Sequence, residues 1–123
     1  LSGISSDMRE IEAAVAAGNE RAIMALDVYN YRIKKYIGAY AAAMGGCDIL
    51  VWTGGVGENQ WATRRVVCED MEYMGMKIDV QKNEGMRGEE MVISTPDSKV
   101  TIIVVPTDEE FMIAADTMEI LDK

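Results

Sequence analysis

The chain has 123 residues, about half of them apolar, and a formal charge of −9. That length suits one domain over residues 1–123, with apolar material for a core and no bias toward disorder or fibre. The acidic balance argues against nucleic acid, which is held mainly by clustered Lys and Arg. It leaves a nucleotide open, because phosphates also take backbone N–H groups and a divalent metal.

Cys47 and Cys68 have neither metal nor disulfide spacing and read as reduced thiols of a cytosolic protein. With no histidine, the chain supplies no imidazole base, no His metal ligand and nothing to activate either thiol. No apolar run reaches the ~20 residues of a membrane span, and no signal peptide opens the chain. The chain starts at Leu1 and enters a helix signal almost at once, which reads as a piece of something longer.

In chain order, Ser5-Ser-Asp-Met-Arg-Glu predicts a helix start, with Met8, Ile11 and Val15 on one face and Gly18 as the stop. Asn19 caps a second, longer helix. Its stripe runs Ile23, Leu26, Tyr29 or Asn30, Ile33, Ile37, Tyr40, Met44, and Gly45-Gly46 ends it. Its Tyr and Ala content predicts a well-buried central helix, with Tyr29, Tyr31, Tyr36 and Tyr40 packing and Arg32, Lys34 and Lys35 in water. Ile49-Leu-Val-Trp52 reads as an inner strand covered on both faces. After the glycines, a helix is expected from Asn59 to about Met74, closed by Gly75. Met76–Val80 reads as a short strand, and Lys82–Glu90 as a surface loop with a helical turn. Val92-Ile-Ser and Val100–Val105 read as strands around the turn Thr95–Lys99, and a last helix is expected from Asp108 to about Leu121. Most of the 10 methionines fall on inward stripes and read as core filling. The alternation of helices and apolar strands indicates an α/β fold.

Three stretches carry chemistry. In Thr53-Gly-Gly-Val-Gly-Glu-Asn59, Gly54, Gly55 and Gly57 let a ligand approach the backbone where a strand turns into a helix. The pattern lacks the third glycine of a dinucleotide fingerprint and the Lys-Ser/Thr of a P-loop, and a tight turn explains it equally well. In Asp7-Met8-Arg9, behind the serine hydroxyl caps, Asp7 is explained as a helix-start carboxylate, whereas a cation in the first turn opposes the helix dipole. An anionic ligand would explain Arg9, as would a salt bridge to Glu10 or Glu12. In Pro106-Thr-Asp-Glu-Glu110, Thr107 and Glu110 have capping-box spacing, which leaves Asp108 and Glu109 pointing elsewhere; Glu109 at the strand end suits a hard metal, or the helix dipole alone.

Together, "SGISSDMREIEAA", "ALDVYNYRIKKYIGAYAAAMGGCD", "TGGVGENQWATRR", "ISTPDSKV" and "VVPTDEEFMIAADT" resemble the C-terminal part of acetate kinases. They cover nearly the whole chain in that family's order. The resemblance implies the acetate and sugar kinase, heat-shock ATPase and actin superfamily, whose two ribonuclease-H-like lobes close over ATP and a small carboxylate. The expected fold is therefore an α/β, ribonuclease-H-like lobe lacking its first strands, with an uncovered sheet edge. The implied reaction is ATP + acetate = ADP + acetyl phosphate, with Mg2+ or Mn2+. The resemblance implies that Asp7, Met8 and Arg9 form one nucleotide contact and that Gly55, Val56, Gly57, Glu58 and Asn59 form another. Glu109 matches the metal residue.

The family's acetate pocket, its catalytic aspartate, histidine and arginines, and its other phosphate loop lie N-terminal to the matched region. A chain without them is expected to be inactive alone. Propionate and butyrate kinases share the architecture. A non-catalytic module of the same fold is the rival from another class, and the retention of Arg9, Gly55, Gly57, Asn59 and Glu109 speaks against it. Family members are typically cytoplasmic homodimers joined through their C-terminal lobes.

Overall fold

A computed structural model describes residues 1–121. Helix α1 (Met8–Ala16) starts where the Asp7 carboxylate accepts the Arg9 backbone N–H at 2.9 Å. Helix α2 (Glu20–Met44) starts where Asn19 Oδ1 accepts the N–H groups of Arg21 and Ala22, each at 3.1 Å. It ends at Gly45, whose left-handed backbone (φ +77°) lets its N–H return to the last turn.

The expectation of a buried α2 is not met. Only Ala22, Asn30 and Ala41 are buried, while Tyr31, Tyr36, Tyr40 and Met44 are all more than half exposed. The reason is that α2 packs on one side only, against α1 and α4. Its tyrosines interact with each other and with a neighbouring cation instead: the Tyr36 and Tyr40 rings stack at 6.2 Å, and Lys35 lies over Tyr31. Lys34, expected in water, donates to the Glu69 carbonyl at 2.6 Å.

Strand β1 (Ile49–Trp52) pairs in parallel with β3 (Thr101–Val104), which also pairs antiparallel with β2 (Met91–Val92), giving the order β1-β3-β2. β1 is therefore an edge strand, as the expected uncovered edge requires. It is not covered on both faces, because Ile49 and Val51 stand half exposed or more while Trp52 is buried. In the parallel pair Trp52 lies opposite Val104, so the chain leaves both strands at the same end of the sheet. That shared exit brings the glycine segment and residues 106–110 to one end of the sheet.

The segment after β1 also differs from expectation. The glycines form a helix themselves, α3 (Gly54–Asn59), and the chain breaks at Gln60 before α4 (Trp61–Cys68). The helix expected to reach Met74 stops at Cys68, because Glu69 is extended and Asp70 takes a left-handed backbone (φ +59°). A 3-10 turn, Glu72–Met74, follows. Met76–Val80 makes only two isolated bridges, Met76 to Val100 and Ile78 to Ser94, rather than a strand. The expected helical turn is α5 (Val80–Asn83), and the last helix is α6 (Glu109–Leu121).

The core gathers Trp52, Val67, Cys68, Met71, Met76, Ile93, Val100, Ile102 and Val104 between the sheet and α4. Met71, Met76 and Met86 fill it as expected, whereas Met24, Met44, Met112 and Met118 are exposed. Both cysteines are free thiols, Cys68 buried and Cys47 partly so.

Within this core sits one cation. Arg64 of α4 has no exposed surface. Its Nη1 donates to the carbonyls of Gly57 (2.7 Å) and Glu58 (3.0 Å), its Nη2 to the Met86 carbonyl (2.7 Å) and its Nε to Asn83 Oδ1 (2.8 Å). A buried guanidinium is tolerable when its donors are used in this way, and here they also satisfy the carbonyls a six-residue helix leaves open. Burial lowers the Arg64 pKa, yet a guanidinium remains charged.

Two predictions follow from this packing. Arg64→Met keeps the volume but strands those acceptors, so urea unfolding should show a loss of about 3–5 kcal/mol. Burial pushes the Cys68 thiol from 9.0 up to about 11. The protonated thiol thus contributes stability that is complete below the unfolded value and is lost as pH rises toward the folded one. Cys68→Ala should remove that alkaline slope, and a thiol reagent should label Cys47 in the folded chain and Cys68 only after unfolding.

Candidate functional site

At the start of α1 the Asp7 carboxylate takes Arg9 in a fork: Nε donates at 3.1 Å and Nη2 at 2.6 Å. The ion-pair partner expected at Glu10 or Glu12 is therefore Asp7 itself. The Arg9 guanidinium holds the Asp7 carboxyl below its ordinary range. The Arg9 side chain remains 87% exposed, so the pair can be re-formed around an incoming group.

The three glycines have three different reasons. Gly54 leaves β1 with φ +69°, a left-handed backbone that favours glycine. Gly57 is buried, and a Cβ there would stand 3.0 Å from the Trp52 carbonyl carbon, so its need is close packing on β1. Gly55 has nothing within 4 Å of where a Cβ would be. It borders open space, and that space is a cavity.

The cavity, about 480 Å3, is lined by Asp7, Met8, Arg9, Glu12, Gly55, Val56, Asn59, Gln60 and Arg87. Six residues singled out in the sequence thus meet in one place: Asp7, Met8, Arg9, Gly55, Val56 and Asn59. The Asn59 side chain donates to the Gly55 carbonyl at 3.0 Å, which fixes the floor of the cavity. Gly57 and Glu58 are not on its wall.

Glu12, Gln60 and Arg87 were not anticipated. Glu12 had a usable signal, since it lies one helical turn beyond Met8 and Arg9 on the same face. Gln60 sits at the α3–α4 break, and Arg87 is brought in from a distant loop, so neither has a local signature. The backbone around Arg87 is pinned on both sides. The Met86 carbonyl is bound by Arg64, and the Gly88 N–H donates to the Glu58 carbonyl at 3.1 Å.

Glu109 lies elsewhere, bordering a hollow with Thr107, Asp108, Met112 and Ile113. The expected Thr107–Glu110 capping box does not form. Asp108 is the cap, its Oδ1 accepting the Phe111 N–H at 2.9 Å. The Thr107 N–H and O–H both donate to Glu58 Oε1, at 2.9 and 2.8 Å, and together hold the Glu58 carboxyl below its ordinary range. The capping argument therefore no longer supports Glu109, and its expected match to a metal residue rests on the resemblance alone. No group of three or more potential metal ligands gathers among the described residues. A single exposed carboxylate still fits Mg2+, which takes one or two carboxylates together with phosphates and waters.

Residues 1–115 match the family model described as the acetokinase family. The chain is 94% identical over its full length to an acetate kinase of Parabacteroides distasonis, of which it covers 31%. It superposes on the crystal structure of Porphyromonas gingivalis acetate kinase with a TM-score of 0.90 and 71% identity, covering 98% of this chain and 30% of that one. A Francisella tularensis propionate kinase structure matches with a TM-score of 0.77 and 35% identity, over 91% of this chain and 29% of that one. The chain thus spans about a third of the length of the curated relatives it matches. Its small mixed sheet and helices are a portion of the acetate and sugar kinase, heat-shock ATPase and actin fold. On these grounds the chain belongs to the acetokinase family.

Proposed function

We propose that this chain forms the C-terminal, nucleotide-binding side of an acetate kinase, which transfers a phosphoryl group reversibly between ATP and acetate. The observation that carries the reading is the cavity joining Asp7-Met8-Arg9 to Gly55, Val56 and Asn59. Two stretches 46 residues apart, from Arg9 to Gly55, share one cavity wall. Family membership supplies a reason, since a kinase needs a nucleotide cradle.

Phosphoryl transfer is mainly positioning and charge neutralisation. Arg9 and Arg87 offer planar donors to an anionic or aromatic group, and Asp7 holds Arg9 in place until such a group arrives. Gly55 leaves room for close approach to the backbone. Gly57 and Glu58 shape the cradle from beneath. Glu109 would hold Mg2+ or Mn2+, which would supply charge neutralisation at the phosphates. The residues that bind acetate and drive catalysis lie on the remainder of the parent enzyme, so the chain alone is inactive. The parent works in the cytoplasm as a homodimer. No helix among the described residues is long and apolar enough to cross a membrane. The match to a propionate kinase keeps a longer acyl substrate as the second reading.

Two glycine variants test this reading by moving in opposite directions. Gly55→Leu should leave thermal stability intact or slightly raised, because a leucine is a better helix former with open space to occupy. It should also weaken ADP binding about tenfold or more by calorimetry. Gly57→Ala should instead cost about 1–3 kcal/mol of stability through overpacking against Trp52. A Gly55→Leu chain that bound ADP like the wild type would sink the nucleotide assignment.

A further inference from the structure

Glu58 follows directly on the cavity-lining glycine segment, yet its side chain turns to another part of the molecule. One oxygen, Oε1, accepts both the backbone N–H and the hydroxyl of Thr107, 49 residues away. Thr107 begins the segment that carries Asp108, the cap of α6, and Glu109. The backbone carbonyl of Glu58 is occupied as well, by Arg64 Nη1 at 3.0 Å and by the Gly88 N–H at 3.1 Å. One residue therefore joins three segments: α3, the loop that presents Arg87 to the cavity, and the β3–α6 connection.

The contact lies at the surface but is doubly bonded. Both Thr107 donors converge on the same oxygen, so the carboxylate fixes the backbone and the side chain of Thr107 at once. On its other side Glu58 cannot drift, because a fully buried cation holds its carbonyl. The Glu58 side chain thus links Thr107 to an α3 backbone that Arg64 holds in place.

We infer that Glu58 is a positioning residue whose double bond to Thr107 couples the nucleotide cavity to the placement of Glu109, so that nucleotide and divalent cation bind cooperatively. The inference rests on the nucleotide reading above and adds to it. It gives Glu58 a role through Thr107 rather than through direct contact with the nucleotide. Thr107, which has no place on the cavity wall, becomes a determinant of the metal response.

The test is the ADP affinity of this chain by calorimetry, with and without Mg2+, for the wild type and three variants. Mg2+ should tighten ADP binding to the wild type about tenfold. Thr107→Val removes the hydroxyl donor at constant volume. It should leave metal-free affinity within about twofold of wild type and cut the Mg2+ gain to about threefold or less. Thr107→Ser keeps both donors and should restore the full gain. Glu58→Gln should lower the gain, and adding Thr107→Val to it should lower the gain little further, as expected for two ends of one interaction. Circular dichroism establishes that each variant is folded. A Thr107→Val chain with the wild-type Mg2+ gain would overturn the inference. So would one that lost affinity equally with and without metal. Wild-type chain that bound ADP in neither condition would overturn the nucleotide reading and this coupling with it.

Discussion

Arg64 is the interaction on which the rest of this structure depends. A guanidinium moved out of water is costly unless its donors find acceptors, and Arg64 finds four. Three of them are main-chain carbonyls at the end of α3 and in the loop before Arg87. The fourth is Asn83, whose own amide donates to the Trp61 carbonyl at 2.8 Å. The dependence runs both ways. α3 is too short to be stable by helix propensity alone, and without these acceptors the cation would have no reason to be inside.

From that anchor the candidate site is assembled outward. β1 and β3 leave the sheet at one end, α3 starts at once on the β1 side, and Arg64 clamps its far end. The glycine segment is held by packing beneath, where Gly57 touches Trp52, and is open above, where Gly55 faces the cavity. The start of α1 closes the opposite wall. Rigidity on one side and open space on the other is the arrangement a ligand cradle needs, since preorganised groups lose little freedom when the ligand arrives.

Much of this was legible in the sequence where the signal is local. Asn19 and Gly45 mark helix ends through cap chemistry that needs only neighbouring residues, and they hold; the first helix starts where expected, with Asp7 rather than a serine hydroxyl as its cap. The glycine trio stood out as a candidate site, but its internal division of labour did not, because φ angles and the nearness of Trp52 belong to the folded chain. Non-local facts were invisible. The apolar run Ile49–Trp52 looked like an inner strand and is an edge here, and Tyr31, Tyr36 and Tyr40 of α2 looked like packing residues and stand in water, with only Tyr29 partly buried. Composition records what a residue tolerates, whereas burial depends on what lies next to it. The capping box failed because the helix starts one residue later than its spacing implies: Asp108 is the cap, and Thr107 lies outside it, donating to Glu58 far away in sequence. Arg64 itself shared the inward stripe of Trp61, Val67 and Cys68, so a charged residue on an apolar face was the readable clue to a buried cation.

The central claim is that one cavity, built from the start of α1, α3 and the Arg87 loop, receives a nucleotide. The most direct measurement is a backbone-resolved NMR titration of this chain with ADP, first alone and then with Mg2+. The account predicts shifts confined to Asp7–Glu12, Gly54–Asn59 and Arg87, with Glu109 and Thr107 responding only once metal is present. Shifts gathered on the exposed face of α2, or a folded spectrum that ignores ADP in both conditions, would contradict it.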